Sequence, residues 1–223
     1  MNQYRSEVPV IAIDGPGGSG KGTLSTRLAA HLGWNFLDSG ALYRLTALAV
    51  MKQDADLNDE DALGQVAANL DIRFETGGQG VKSLLDGEDV SVALRSEDTG
   101  ILASRIAVTP AVRAALVKRQ RQFRQLPGLV ADGRDMGTII FPDAILKIFL
   151  TASTEIRTQR RHKQLKEKGE SVNLSRLFRE IKARDLRDQS RGIAPLRQAE
   201  DAVIIDSTEL SIEEVLSKVI KMI

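Results

Sequence analysis

Nine residues, Gly15-Pro16-Gly17-Gly18-Ser19-Gly20-Lys21-Gly22-Thr23, place five glycines, a lysine and two hydroxyls between the apolar run Val8 to Ile13 and a segment patterned as a helix. Glycine admits backbone conformations that a side chain would obstruct, so successive N–H groups can turn inward on an anion. Lys21 adds a point charge beside that nest, and the helix opening near it adds the positive end of its dipole. Strand before, lysine in register and helix after are the context of a phosphate-binding loop, so the expected ligand is a nucleoside triphosphate. An ordinary glycine-rich turn is the plainer alternative. The loop departs from the generic GxxxxGK[ST] pattern at one position: Gly22 follows the lysine, and the hydroxyl arrives one residue later, as Thr23.

A donor phosphate needs an acceptor, and other clusters have the chemistry for one. Asp38-Ser39-Gly40-Ala41-Leu42-Tyr43-Arg44 follows a short apolar run and opens a helix. Its hydroxyl, phenol and guanidinium would therefore sit near the carboxyl edge of a sheet, where open α/β sheets bind ligands. Ser39 as a helix cap and Arg44 as solvated surface are the bland reading. Asp132-Gly133-Arg134-Asp135-Met136-Gly137-Thr138 follows another apolar run, and two aspartates with an arginine between glycines are poor core material. Asp132 is placed as a Walker-B-like carboxylate for magnesium and its waters. Arg134 can grip phosphate bidentately and Asp135 can accept from an amino group, although a structural Asp–Arg turn pair is the alternative.

Arg184, Asp188 and Arg191 fall at i, i+4 and i+7 of a helix expected over Asn173 to Ser190, where an intrahelical ion pair already accounts for Arg184 with Asp188. Arg157, Arg160 and Arg161 sit near the start of a helix running to Lys168 before Gly169. Alone they read as a solvated face; beside a phosphate loop they become candidates for a mobile lid.

These groups need a common scaffold, and the stretches between them supply one. Val8 to Ile13, Asn35 to Leu37, Gly128 to Ala131, Ala144 to Leu150 and Ala202 to Ile205 read as strands covered on both faces. Helical periodicity alternates with them, as in Leu24, Leu28 and Leu32, in Val112, Leu116 and Phe123 after Thr109-Pro110, and in the capping box Ser211 with Glu214. The alternation predicts an α/β fold with a parallel sheet flanked by crossover helices. Asp71 to Val92 breaks the rhythm: Ile72 to Glu75 and Val81 to Leu85 read as strands separated by the turn TGGQG and followed by a turn at DGED. A small antiparallel insert is expected there, extending through a helix capped by Ser96 to about Ala107.

Composition limits the function classes. The 223 residues, 42% hydrophobic, suit one α/β domain with an insert. The absence of cysteine excludes disulfides, thiolate metal sites and cysteine nucleophiles, and two histidines, His31 and His162, are too few for a histidine metal site. A net charge of +1 with 4% aromatic residues argues against a nucleic-acid partner. MNQYRSEVP lacks the apolar core of a signal peptide and no run is long enough for a membrane span, so a soluble cytoplasmic protein with no membrane partner is expected.

Taken together, GPGGSGKGT, LDSGALYR, the Asp71 to Ala107 insert, ADGRDMGT, and ARDLRDQSR followed by APL resemble the bacterial cytidylate kinases, from about Val8 to Leu216. The GKGT form is shared with related nucleoside monophosphate kinases; the other motifs are specific to the cytidylate branch. The resemblance implies a single P-loop kinase domain over 1–223 with a five-stranded parallel sheet, an insert of the monophosphate-binding part at 66–107 and a helical lid at 153–172. It implies that ATP with Mg2+ phosphorylates CMP or dCMP in a monomer. By matching positions, Gly15, Pro16, Gly17, Gly18, Ser19, Gly20, Lys21, Gly22, Thr23 and Arg157 would bind ATP, with Thr23 and Asp132 holding the metal through water. Lys21, Asp132, Arg134, Arg160 and Arg161 would serve the transfer, and Ser39, Tyr43, Arg44, Arg184, Asp188 and Arg191 would help bind the acceptor. Arg44 and Arg134 would hold the acceptor phosphate, while Ser104, Arg113 and Asp135 would read the cytosine edge.

The chemistry of the base agrees with that last assignment. Cytosine presents an amino donor beside ring acceptors, which Asp135 and Arg113 or Ser104 complement. Uracil would face Asp135 with a carbonyl, leaving two acceptors unsatisfied. CMP is therefore expected over UMP, with AMP excluded by size.

Overall fold

The computed structural model describes residues 8–77, 80–167, 169 and 171–223. Residues 1–7, the tip of the TGGQG turn at 78–79, and residues 168 and 170 of the expected lid lie outside the described residues. In chain order the elements begin with β1 (Val10–Asp14), α1 (Lys21–Leu32), β2 (Asn35–Asp38), α2 (Ser39–Lys52), α3 (Glu60–Ala68), β3 (Ile72–Gly77), β4 (Gly80–Leu85) and β5 (Glu88–Asp89). They continue with α4 (Glu97–Ile106), α5 (Pro110–Gln122), β6 (Leu129–Gly133), β7 (Leu146–Thr151), α6 (Thr154–Glu167), α7 (Leu174–Ser190), β8 (Val203–Asp206) and α8 (Ile212–Ile220).

The chain divides into two compact units, one of Met1–Asp38 with Arg121–Ile223 and one of Ser39–Gln120. The first holds a five-stranded sheet in the order β2-β6-β1-β7-β8, parallel throughout. Every residue of β1 and β6 is buried, which is why both read as unbroken apolar runs. Ile11, Ile13, Val130, Ile148 and Leu150 of the sheet pack with Leu24 and Leu28 of α1 and Val215 and Val219 of α8. The capping box expected for the last helix is present, Ser211 and Glu214 satisfying each other's backbone N–H groups.

The strands lie within two residues of the expected ones at their starts, and all five run past the last apolar residue. The ladder is made by backbone groups, so β1, β2 and β6 continue through acidic residues, pairing Asp38 with Asp132 and Asp14 with Gly133. This register brings the carboxylates of Asp14, Asp38 and Asp132 to the C-terminal ends of three neighbouring strands.

The second unit contains the expected antiparallel insert, the sheet β3-β4-β5, turned between its last two strands by Asp86 (φ 52°) and Gly87 (φ 79°). The helix capped by Ser96 follows as α4. Helix α3 was not among the expected elements; Asp59 caps it, accepting from the Ala62 N–H at 2.9 Å, and Glu60 and Asp61 favour its first turn. Gly64 lets α3 approach α5 closely, since a Cβ there would lie 2.7 Å from the Ala111 methyl. Among the described residues no single helix is long and apolar enough to cross a membrane.

Candidate active site

The glycine loop leaves β1 and enters α1 under tight constraint. A Cβ at Gly15 would lie 2.0 Å from the Leu150 carbonyl oxygen, so the loop begins where only glycine fits against β7. Gly20 enters the helix with φ 95°, no side chain caps the first turn, and no acidic residue occupies it. The N-terminal positive field of α1 is therefore not neutralised by its own first turn. The Ser19 Oγ beside it is buried and has no hydrogen-bond partner. Lys21 donates to the Pro16 carbonyl oxygen at 3.4 Å and stands 3.9 Å from Asp132. Gly22, the departure from the common loop pattern, has a local reason: a Cβ there would press to 3.3 Å from Asp132 Oδ2.

Burial raises the Asp132 pKa and Asp38 adds to the rise, with Lys21 opposing it. Burial likewise lowers that of Lys21, helped by Arg134 and opposed by Asp132. An incoming polyanion would favour the Lys21 charge and a cation the Asp132 charge, each against the effect of burial. Asp14 serves a different purpose. Its carboxylate accepts from the backbone N–H groups of Met136 and Gly137, both at 2.8 Å, and burial outweighs those bonds to push its pKa up to about 6. It thereby ties the end of β1 to the wide turn Met136–Ile140 that follows Asp132, Arg134 and Asp135.

Both Asp14 oxygens are thus committed, and among the described residues no group of three or more acidic or histidine side chains could cage a metal. Asp132, buried beside the loop, is instead suited to a hydrated dication shared with phosphate oxygens, the usual state of Mg2+.

Arg134 donates through Nε to Asp188 at 2.8 Å. Asp188, for which the spacing suggested Arg184, thus also pairs across the chain, joining the loop after β6 to α7. Burial works against the Asp188 charge, but Arg134 beside it, with Arg184 and Arg191, holds its carboxyl below the usual range. Asp135 is buried, at the residue after Arg134.

The arginines expected in a lid lie differently from one another. Arg157 is buried, and its five N–H donors meet five acceptors: Nε the Ala152 carbonyl, Nη1 the Gly17 carbonyl and Asp185, Nη2 Thr154 and Asp185. Its expected place beside ATP is thus occupied, in this arrangement, by protein acceptors, with the Gly17 carbonyl of the glycine loop among them. Arg160 donates to the carbonyl oxygens of Ser19 and Ser207 and to the Ser207 hydroxyl, which itself donates to the Ser19 carbonyl at 3.0 Å. Arg161, the third, is only partly buried.

In the second unit, Ser39, Tyr43 and Arg44 lie in the first turns of α2. Arg44 donates to the carbonyl oxygens of Leu94 and Ser96, both at 2.9 Å, across a gap kept by Gly100, where a Cβ would sit 2.6 Å from the guanidinium. Arg113 of α5 is buried and donates to the Tyr43 hydroxyl at 3.2 Å. Ser104, one helical turn beyond Gly100 on α4, has a buried hydroxyl with no partner among the described residues.

The cytidylate kinase family model matches residues 11–223. The chain belongs to the cytidylate kinase family. It is 57% identical over 212 residues to a cytidylate kinase of Aeromonas salmonicida, covering 95% of this chain and 92% of that protein. It is 58% identical over 215 residues to one of Stutzerimonas stutzeri (96% and 94% covered), and 58% identical over 219 residues to one of Pseudomonas syringae pv. tomato (97% and 96%).

Within this cytidylate kinase chain, sequence reasoning missed Asp14, Asp185 and Ser207 as members of the site's framework. Asp14 left a trace, a lone acid between an apolar strand and the glycine loop. Asp185 and Ser207 left none, because their partners Arg157 and Ser19 are distant in the chain.

Proposed function

We propose that the chain transfers the γ-phosphoryl group of ATP to CMP or dCMP by direct in-line displacement, giving CDP or dCDP and ADP. The observation that carries this reading is the meeting of the glycine loop, Lys21 and Asp132 at one end of the parallel sheet of a cytidylate kinase family chain. The acceptor is already an anion and needs no strong base; the obstacle is charge repulsion between two polyanions. Lys21 and the N–H groups of the loop take the donor phosphates, and Ser19 adds a hydroxyl donor. Magnesium, held by Asp132 and Thr23 through water, supplies charge neutralisation at the phosphate oxygens.

Arg44 and Arg134 take the acceptor phosphate, with Arg184, Asp188 and Arg191 at the sugar. Ser104, Arg113 and Asp135 read cytosine, a reading supported by the buried, partnerless Ser104 hydroxyl. The insert at 66–107 belongs to acceptor binding, and the segment 153–172 is a lid through which Arg160 and Arg161 exclude water from the transferring group. The enzyme works in the cytoplasm as a monomer, without nucleic-acid or membrane partners.

A coupled assay of ADP formation with CMP, dCMP, UMP, AMP and shikimate tests the reading. CMP and dCMP are expected to give the highest kcat/KM. Faster turnover of AMP or shikimate than of either cytidine nucleotide would overturn it.

A further inference from the structure

Helix α7 carries two aspartates three residues apart, and each anchors an arginine belonging to a different part of the phosphate machinery. Asp188 holds Arg134 at 2.8 Å. Asp185 holds Arg157 by two bonds, 3.0 Å from Oδ1 to Nη1 and 2.6 Å from Oδ2 to Nη2, with side-chain exposures of 14% and 5%. The same Nη1 donates to the Gly17 carbonyl at 3.1 Å. A carbonyl bound on the outer side turns its peptide so that the adjacent N–H can face inward, as an anion nest requires. The backbone of α6 reinforces this, since a Cβ at Gly18 would meet the Arg157 Cβ at 3.2 Å. One turn along α6, Arg160 and Ser207 fix the Ser19 carbonyl in the same sense.

We infer that Asp185 and Arg157 form a latch that positions the donor-phosphate loop, and that α7 thus serves the two phosphate sites separately, the donor loop through Asp185 and the acceptor arginine, Arg134, through Asp188. Arg157 is a positioning residue, its donors fully engaged by protein. Asp185 acts one step further back, supplying the counter-charge that keeps a buried guanidinium in a single orientation. The inference rests on the reading of the glycine loop as the ATP site.

The test is Asp185→Asn, which keeps the shape of the side chain and removes its charge. Initial rates should show KM for ATP rising about 10- to 100-fold, the usual consequence of a small displacement in a phosphate site, while KM for CMP changes less than about twofold. Asp188→Asn should show the reverse split, with CMP the affected substrate. Asp185→Glu should recover part of the ATP affinity because the charge returns. A rise in the ATP KM below about threefold, or equal rises in both KM values, would overturn the latch, since a general loss of structure does not choose between substrates. If Asp185→Asn does not fold, Arg157→Lys, which keeps the charge and loses the bidentate geometry, must show the same split or the proposal fails. Titration of the unaltered enzyme with a fluorescent ATP analogue separates the two levels. Absence of binding there removes the ATP site itself, whereas normal binding shared by Asp185→Asn removes only the latch.

Discussion

The two units position their polar side chains in contrasting ways. In the Met1–Asp38 and Arg121–Ile223 unit, the groups sit on strand ends and on the loops that leave them, at heights set by a parallel ladder pairing Asp38 with Asp132 and Asp14 with Gly133. Carboxylates then fix the arginines, as Asp188 does Arg134 and Asp185 does Arg157. In the Ser39–Gln120 unit they sit on three helices, α2, α4 and α5, and meet carbonyls and a phenol, as Arg44 does at Leu94 and Ser96 and Arg113 at Tyr43. A sheet edge collects groups from several strands at a fixed register, which suits catalysis by prearranged charge; helix faces can be varied residue by residue, which suits selection of a substrate. Loss of a charge at the strand ends of the first unit should therefore appear as lost turnover, and loss of a group on the helix faces of the second as lost acceptor affinity.

The largest effect should come from Lys21→Ala. It removes the cation 3.9 Å from Asp132, leaving that buried carboxylate with Arg134 as its remaining opposite charge and taking a cation from the donor phosphates. We expect kcat to fall about 10³-fold, the scale of losing one prearranged electrostatic contact in a water-poor site. The far-ultraviolet circular dichroism should be unchanged. Near-normal turnover in a steady-state assay would dismantle the contrast between the units at its strongest point.

This asymmetry also decided what the sequence disclosed. The donor loop was legible because its nine residues are contiguous and its strand and helix neighbours are adjacent in the chain. The strand order followed less directly, since β6 reaches its place between β1 and β2 only after a long excursion. Asp188 was found as a site candidate without its partner Arg134, because i to i+4 spacing on a helix is visible in sequence and a pairing 54 residues away is not. Arg157 shows the same limit more sharply. A basic cluster reveals charge but not direction, and the five acceptors that surround this guanidinium come from the loop, from α6 and its approach, and from α7.

Asp135→Asn should move base selection next most. It lies in the first unit, so it tests whether selection belongs to the second unit alone. An amide can donate to the uracil carbonyl that a carboxylate opposes, so the ratio of kcat/KM for CMP to that for UMP should fall by about 10- to several hundred-fold. An unchanged ratio would remove Asp135 from base recognition and leave selection with Ser104 and Arg113.

Asp14 probes the rigidity of the first unit through pH. Its carboxyl titrates near pH 6 in the folded chain and near its ordinary 3.8 when unfolded, so the folded state holds the extra proton between those values. That contribution to stability is complete below about pH 4, declines as pH rises and is gone above about pH 6, amounting to about 3 kcal/mol. Asp14→Asn removes the titration, so urea unfolding from pH 4 to 7 should give a difference between wild type and variant that changes across this window and is flat above it. Parallel stability curves would show that burial does not outweigh the two N–H bonds that hold the Asp14 carboxylate.

Ser104→Ala should give the smallest effect, and it separates binding from stability within the second unit. A buried hydroxyl without a partner contributes nothing to the fold and costs desolvation, so its removal should leave the unfolding midpoint unchanged or slightly raised. If the hydroxyl instead waits for a cytosine acceptor, KM for CMP should rise about 5- to 10-fold, the value of one neutral hydrogen bond, with kcat and KM for ATP nearly constant. Lost stability would reveal a structural partner for Ser104. Equal effects on CMP and ATP would place the hydroxyl outside the acceptor site and deny the second unit its selective role at this residue.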